Sequence, residues 1–187
     1  MIYLVRHGQT KWSITGQHTG TTDIPLTENG IAEAKLLRSY LNNISFSKVL
    51  SSPKTRALDT AFNAGYENVD IEPLLVEWDY GDTEGKTTEQ MRQIYPGWSL
   101  FKNGVENGET LSQVYVRAQK VIGLVEQYEK ENVLMFAHGH ILRLIGAAWI
   151  NCDASLASQL VLSPCSISIL GYEHETRAIL KWNYTID

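Results

Sequence analysis

The sequence predicts an α/β fold of three layers, a mainly parallel central sheet with helices on both faces. Three observations carry this. Short apolar runs at residues 2–5, 49–50 and 133–136 have the unbroken hydrophobic character of strands covered on both faces. Stretches with helical spacing of apolar residues alternate with them. The chain has 187 residues, 43% of them hydrophobic, enough for one well-buried domain spanning 1–187, and it shows no internal repeat, low-complexity tract or linker.

Each element has its own signal. Ile2, Tyr3, Leu4 and Val5 read as the first strand. Pro25-Leu26-Thr27 leads into a helix over 28–41, with Ile31, Ala34, Leu37 and Leu41 on one face. Val49 and Leu50 suggest the second strand. Ser52 then offers an N-cap, and Pro53 a first helical position, for a helix to about residue 64. Residues 69–71 read as a weak third strand. From 78 to 109 the pattern breaks repeatedly at Gly81, Gly85, Pro96, Gly97, Gly104 and Gly108, with one short helix over 88–95 inside. That stretch reads as a lid-like excursion, although a plain surface connection has the same pattern. Thr110 and Gln113 have capping-box spacing and open a long helix to about Glu129, with Val114, Ala118, Val121, Ile122 and Val125 on one face. Residues 133–136 are the clearest strand, followed by a helix over 140–150. Two closing strands, 166–170 and 178–182, join through a polar turn at 173–176.

Composition narrows the function. Sixteen basic and 21 acidic residues give a net charge of −5, which disfavours nucleic-acid binding but leaves room for a small cationic pocket. Cys152 and Cys165 form neither a zinc spacing nor a disulfide framework and read as reduced thiols. The apolar run before Arg6 is short for a signal-peptide core, and the apolar stretch 141–150 contains Arg143 and is too short to span a bilayer. A soluble cytoplasmic protein without a membrane partner is expected.

In open α/β sheets, ligands sit beyond the carboxyl ends of the strands. Arg6-His7-Gly8 follows the first strand, and Ser51-Ser52-Pro53 with Arg56 follows the second. Glu77 comes after the third and His138-Gly139-His140 after the fourth. Singly, each has an ordinary reading: a strand-end turn, a solvated arginine, a surface carboxylate. Together they compose a phosphoryl-transfer site. Arginine grips phosphate oxygens with paired hydrogen bonds, and neutral histidine attacks phosphorus. Arg6, Arg56 and His138 would surround the phosphate, with His138 donating a hydrogen bond. Nearby cations would keep His7 neutral, while a carbonyl or a carboxylate must hold its other ring nitrogen. The apolar neighbours of Glu77 suit a carboxyl that gives a proton to the leaving oxygen. His140 beside His138 supplies only two ligands, so no metal and no cofactor are assigned. His18 and His174 read as surface residues.

With these residues in place, the chain resembles the histidine phosphatase superfamily, the phosphoglycerate mutase-like group. Leu4-Val5-Arg6-His7-Gly8-Gln9-Thr10 resembles its opening motif, and Gly20, Asp23, Pro25-Leu26-Thr27 and Gly30 its next segment. Ser51-Ser52-Pro53 with Arg56-Ala57 and Thr60-Ala61 matches a second motif, and residues 75–85 with Glu77, Gly81, Glu84 and Gly85 a third. Asn107-Gly108-Glu109-Thr110 and Ala137-His138-Gly139 complete the set. The resemblance implies a mainly parallel sheet and a metal-independent phosphohistidine mechanism. It makes His7 the nucleophile, Glu77 the proton donor, and Arg6, Arg56 and His138 the phosphate pocket. Ser13 stands where many members have Asn, as a candidate phosphate contact. The wording of the runs at 16–20, 77–82, 107–110 and 136–140 is most similar to the sedoheptulose bisphosphatase branch. A small phosphate ester, a sugar phosphate or bisphosphate, is the implied substrate, with Gln17, Thr19, Glu109 and His140 as its contacts. A cofactor-dependent phosphoglycerate-type mutase and a phosphate-binding module without turnover are the alternatives.

Overall fold

The computed structural model describes residues 1–128 and 130–186. Its strands are β1 (Ile2–Arg6), β2 (Lys48–Ser51), β3 (Asp70–Ile71), β4 (Val133–Ala137), β5 (Ile167–Glu173) and β6 (Thr176–Tyr184). They form one sheet in the order β3-β2-β4-β1-β5-β6. The β3-β2, β2-β4 and β4-β1 pairs are parallel. The β5-β6 hairpin adds antiparallel strands on the far side of β1. The sheet is therefore mostly parallel, as the sequence predicts.

The unbroken hydrophobicity of β1 and β4 has a direct cause. Ile2, Leu4, Val133, Met135 and Ala137 face a core built with α6 (Leu111–Val125) and α7 (Gly139–Trp149). Tyr3, Val5, Leu134 and Phe136 face the opposite core, built with α2 (Glu28–Leu41) and α3 (Thr55–Asn63). Both faces are buried, so alternation disappears.

The differences from expectation are local. On α2 the buried stripe begins at Gly30, not Ile31, and runs through Ala34, Leu37 and Leu41. Ser52 is not the cap of α3. The helix starts two residues after Pro53, at Thr55, and the Asp23 carboxylate accepts from the Thr55 backbone N–H and hydroxyl. The Thr110–Gln113 capping box forms as expected. Helix α6 ends at Val125 and a 3-10 turn follows over Glu126–Tyr128; the expected end at Glu129 lies outside the described residues. Helix α7 starts one residue early, with His138 as its N-cap. Two short helices carried no readable apolar face: α1 (Lys11–Thr15), closed by a Thr10–Ser13 capping box, and α5 (Leu100–Asn103). Inside the excursion, α4 (Thr88–Ile94) forms as predicted to within a residue. Met91, Trp98 and Leu100 anchor the excursion in the main core. Among the described residues, no helix is long and apolar enough to cross a membrane.

The loop after β1 touches the start of α2 backbone to backbone. A Cβ on Gly30 would lie 2.2 Å from the Gln9 carbonyl oxygen, and one on Gly8 would lie 2.7 Å from the Gly30 carbonyl oxygen. Backbone cannot swing aside as a side-chain tip can, so Gly30→Ala must push α2 off the loop that carries His7. The expected cost is about 1–3 kcal/mol, the range for overpacking. A lowered urea midpoint for Gly30→Ala, with reduced activity, checks this; unchanged values would contradict the close contact.

Candidate active site

His7 stands at the carboxyl end of β1, where its backbone N–H donates to the Ala137 carbonyl at 2.9 Å and extends the pairing with β4. Its ring Nδ1 is 2.8 Å from the Gly8 carbonyl oxygen. A carbonyl only accepts, so Nδ1 carries the proton and neutral His7 keeps a lone pair on Nε2. Of the two orienting groups the sequence left open, the structure supplies the carbonyl. Burial pushes the His7 pKa well below its ordinary 6.5, and Arg6 and Arg56 push it further.

Arg6 shares the cavity wall with His7. Its Nη1 donates to the Leu162 carbonyl at 2.5 Å, and its buried Nε–H has no partner among the described residues. That leaves one donor of a charged group unbonded, 3.4 Å from where a Cβ on Gly139 would lie.

Arg56 and His138 are placed differently from expectation. Both are fully buried and neither lines the cavity. Arg56 Nε donates to His138 Nδ1 at 3.0 Å, Nη1 to the Thr22 carbonyl, and Nη2 to the carbonyls of Thr19 and Gly20. Since His138 Nδ1 accepts, the neutral ring carries its proton on Nε2 and donates it to Ser52 Oγ at 2.8 Å. The same Ser52 Oγ also accepts from the Lys54 backbone N–H at 3.4 Å, one residue ahead of α3. The His138 ring stands 5.2 Å from the His7 ring, at 61°. The pair thus forms a floor beneath His7, and the N–H expected to face phosphate is held by Ser52.

Glu77 is buried on an irregular stretch after β3, and it lines the cavity. Its oxygens meet three N–H groups instead of the apolar neighbours expected. Oε1 accepts from the backbone of Trp78 and Ile141, each at 2.9 Å, and Oε2 from the backbone of His140 at 3.0 Å. Two of these donors open α7, so the carboxylate also meets the positive end of the helix dipole. Oε2 accepts one hydrogen bond fewer than Oε1.

The other expected contacts divide. His140, Gln17 and Thr19 line the cavity of about 230 Å³. Ser13 lines it too, but its hydroxyl donates to the Thr10 carbonyl at 2.9 Å and closes the α1 capping box, so its proton is not free for phosphate. Glu109 lies elsewhere. Both its oxygens are taken by Arg117, at 3.0 and 2.6 Å, and it lines no part of this cavity.

The sequence reading missed several wall residues. His18 is buried, not on the surface: its Nδ1 bonds the Lys86 carbonyl and its ring packs on Tyr80 and Trp98. His174 is exposed, as expected. Tyr80, Thr88 and Arg143 also line the wall. Arg143 did leave a signal, the single charge in an otherwise apolar helix. His18 left none.

Residues 2–185 match the family model of the histidine phosphatase superfamily, branch 1. The chain belongs to the histidine phosphatase superfamily. An acid phosphatase of Mycobacterium tuberculosis is 37% identical over 95% of this chain and 89% of its own length. Sedoheptulose 1,7-bisphosphatase of Saccharomyces cerevisiae is 32% identical over 78% of this chain and 66% of its own length. The solved structure of the open reading frame Rv3214 of Mycobacterium tuberculosis superposes with a TM-score of 0.94 at 36% identity, covering 98% of this chain and 97% of that one. Matched by phosphatases over most of its length, this member of the superfamily is a histidine phosphatase.

Four histidines of the site, His7, His18, His138 and His140, have pKa values lowered from the ordinary 6.5, in each case chiefly by burial. The unfolded chain binds protons there that the folded chain refuses. Folded stability is therefore fully present above about pH 6.5 and falls as the pH drops below it. A thermal melting series from pH 8 to pH 5 should be flat at first and then decline; a melting temperature that rises on acidification would contradict the buried neutral rings.

Proposed function

We propose that this histidine phosphatase is a phosphomonoesterase working through a phosphohistidine on His7, with a sugar phosphate or sugar bisphosphate as substrate. One observation carries the reading. The Nδ1–H···O=C bond to Gly8 fixes the lone pair of a neutral imidazole on Nε2, in a ring that shares one cavity wall with Arg6 and Glu77. That is a nucleophile, an anion clamp and a proton carrier in one place.

In the first step Nε2 forms a bond to phosphorus as the bond to the ester oxygen breaks. The imidazolium formed keeps its Nδ1–H on the Gly8 carbonyl. Arg6 holds the phosphoryl oxygens, with the Arg56–His138 floor adding positive field from behind. Protonated Glu77 gives its Oε2 proton to the departing alkoxide. In the second step Glu77 takes a proton from water, the hydroxide attacks phosphorus, and His7 leaves. The cations this needs are guanidinium groups of the chain, so the scheme calls for no metal.

The sugar assignment rests on two supports. The yeast relative is a sedoheptulose 1,7-bisphosphatase. The wall beyond His7 carries Gln17, His18, Thr19, Tyr80 and Thr88, groups suited to hydroxyls, and Arg143 adds a second guanidinium suited to a second anionic group.

Phosphate release from a panel of sugar phosphates and bisphosphates should exceed release from phosphoserine and phosphoglycerate in kcat/KM. His7→Ala should release none, and rapid quench of the native protein should trap an acid-labile phosphoenzyme that His7→Ala lacks. Turnover by His7→Ala would sink the mechanism. Isomerisation of a phosphoglycerate without release would point to a mutase instead.

Glu77→Gln should separate esters by leaving group. Comparing kcat/KM isolates the first transfer from later hydrolysis. Phenyl phosphate, whose leaving group needs a proton, should lose on the order of 10²-fold or more, and p-nitrophenyl phosphate about tenfold or less. Equal losses would remove Glu77 as the acid.

A further inference from the structure

Glu77 sits on a stretch with no ladder of its own, between the 3-10 turn Pro73–Leu75 and the turn Gly81–Thr83. A buried irregular segment must still satisfy its carbonyls. Here one side chain does so. Arg117, on α6, donates from Nη1 to the carbonyls of Leu74 at 3.0 Å and Val76 at 2.5 Å, and from Nη2 to the Glu77 carbonyl at 3.2 Å. Its Nε and Nη2 also form a two-pronged bridge to Glu109. Glu109 in turn reaches the same stretch from its other side. Its Oε2 accepts from the Asp79 backbone at 3.0 Å, and its backbone carbonyl accepts from Trp78 Nε1 at 2.7 Å. The Arg117 and Glu109 side chains are only 12% and 26% exposed, so water competes weakly for these bonds.

We infer that Arg117, locked by Glu109, is a positioning residue that holds the backbone of Glu77 in register with the first turn of α7, and so sets the proton transfer to the leaving group. This rests on the reading of Glu77 as the acid. The two ends of Glu77 are held by different elements: its carboxylate by α7, its backbone by α6 through Arg117. A displaced backbone would drag Oε2 away from the ester oxygen while leaving Arg6 and His7, at the carboxyl end of β1, untouched. The planar five-donor fork is what the geometry uses. Lysine keeps the charge but cannot reach three carbonyls and both carboxylate oxygens from one nitrogen.

The test uses the same two aryl phosphates and four forms of the full chain: native, Arg117→Lys, Glu77→Gln and the double variant. Arg117→Lys should lower kcat/KM for phenyl phosphate by roughly 10²-fold, the scale of a misplacement of about 1 Å. For p-nitrophenyl phosphate the loss should be several-fold at most. The double variant should show no larger gap between the two esters than Glu77→Gln alone, because both changes act on one proton transfer. A gap in Glu77→Gln with equal losses, or none, in Arg117→Lys overturns the positioning role and leaves the acid in place. No gap in Glu77→Gln removes the acid itself, and this inference with it. Should Arg117→Lys fail to fold, Glu109→Gln decides in the same way: it keeps an oxygen for the Asp79 N–H but gives up the ion pair, and it should show the same gap in smaller measure.

Discussion

The chemistry of this site depends on where one peptide carbonyl points. A neutral imidazole has a single N–H, and the Gly8 carbonyl takes it at 2.8 Å. Turning that carbonyl would free Nδ1 and leave the Nε2 lone pair undefined. Several contacts hold it. The Gly8 N–H donates to Thr60 Oγ1 at 2.9 Å, and Thr60 bonds the Arg56 carbonyl one helical turn back on α3. The Gly8 backbone lies against the Gly30 backbone, and the Cys165 N–H donates to the carbonyls of Arg6 and His7. Two helices and a sheet thus fix one tautomer, and that function explains why glycine stands on both sides of the Gly8–Gly30 contact.

The second constraint is electrostatic. Buried arginines are usually paired with carboxylates. Arg6 and Arg56 instead donate mainly to backbone carbonyls, those of Leu162, Thr19, Gly20 and Thr22, while Asp23 stays 3.8 Å from Arg56. Carbonyl dipoles satisfy the donors without cancelling the charge. The positive field therefore survives to act on His7 and His138, and both rings stay neutral. A chain with a net charge of −5 can in this way keep a cationic pocket. Glu77, the one carboxylate among the described residues of the cavity wall, acts on Arg6 and Arg56 through its charge while the N-terminus of α7 holds its oxygens.

Periodicity and capping made most of the fold legible. The boundaries of α2 and the capping box of α6 follow from local sequence, because the buried face and the cap residues lie within one element. The site was legible where a side chain leaves a strand end directly, as with Arg6 and His7. It was misread where a polar residue had a partner, near or far along the chain, that takes it away from the site. Ser13 closes a capping box, Ser52 meets a histidine 86 residues away, and Glu109 meets Arg117 two turns along α6. His18 shows the opposite failure. An isolated histidine in a polar loop looks solvated, yet the excursion folds over it through Tyr80 and Trp98. Such burial is a tertiary fact with no trace in neighbouring residues.

The excursion from 78 to 109 joins these strands of argument. Its two ends lie backbone against backbone. A Cβ on Gly81 would lie 2.1 Å from the Glu106 carbonyl oxygen, and one on Gly108 would lie 2.3 Å from that of Asp79. The Asp79 carbonyl accepts from the Glu109 N–H, and the Glu106 carbonyl from the Asp82 N–H, each at 2.9 Å. The middle of the excursion supplies Trp98 and Phe101, whose rings pack on His18 and His140, two of the histidines of the cavity wall. A loop pinned at its ends transmits little of what happens in its middle to the flanking chain. Glu77, just outside the pinned end, therefore keeps its place when residues further along the loop change. The geometry separates two tasks: the ends of the excursion hold the stretch next to Glu77, the acid of the proposed mechanism, and the middle packs on His18 and His140.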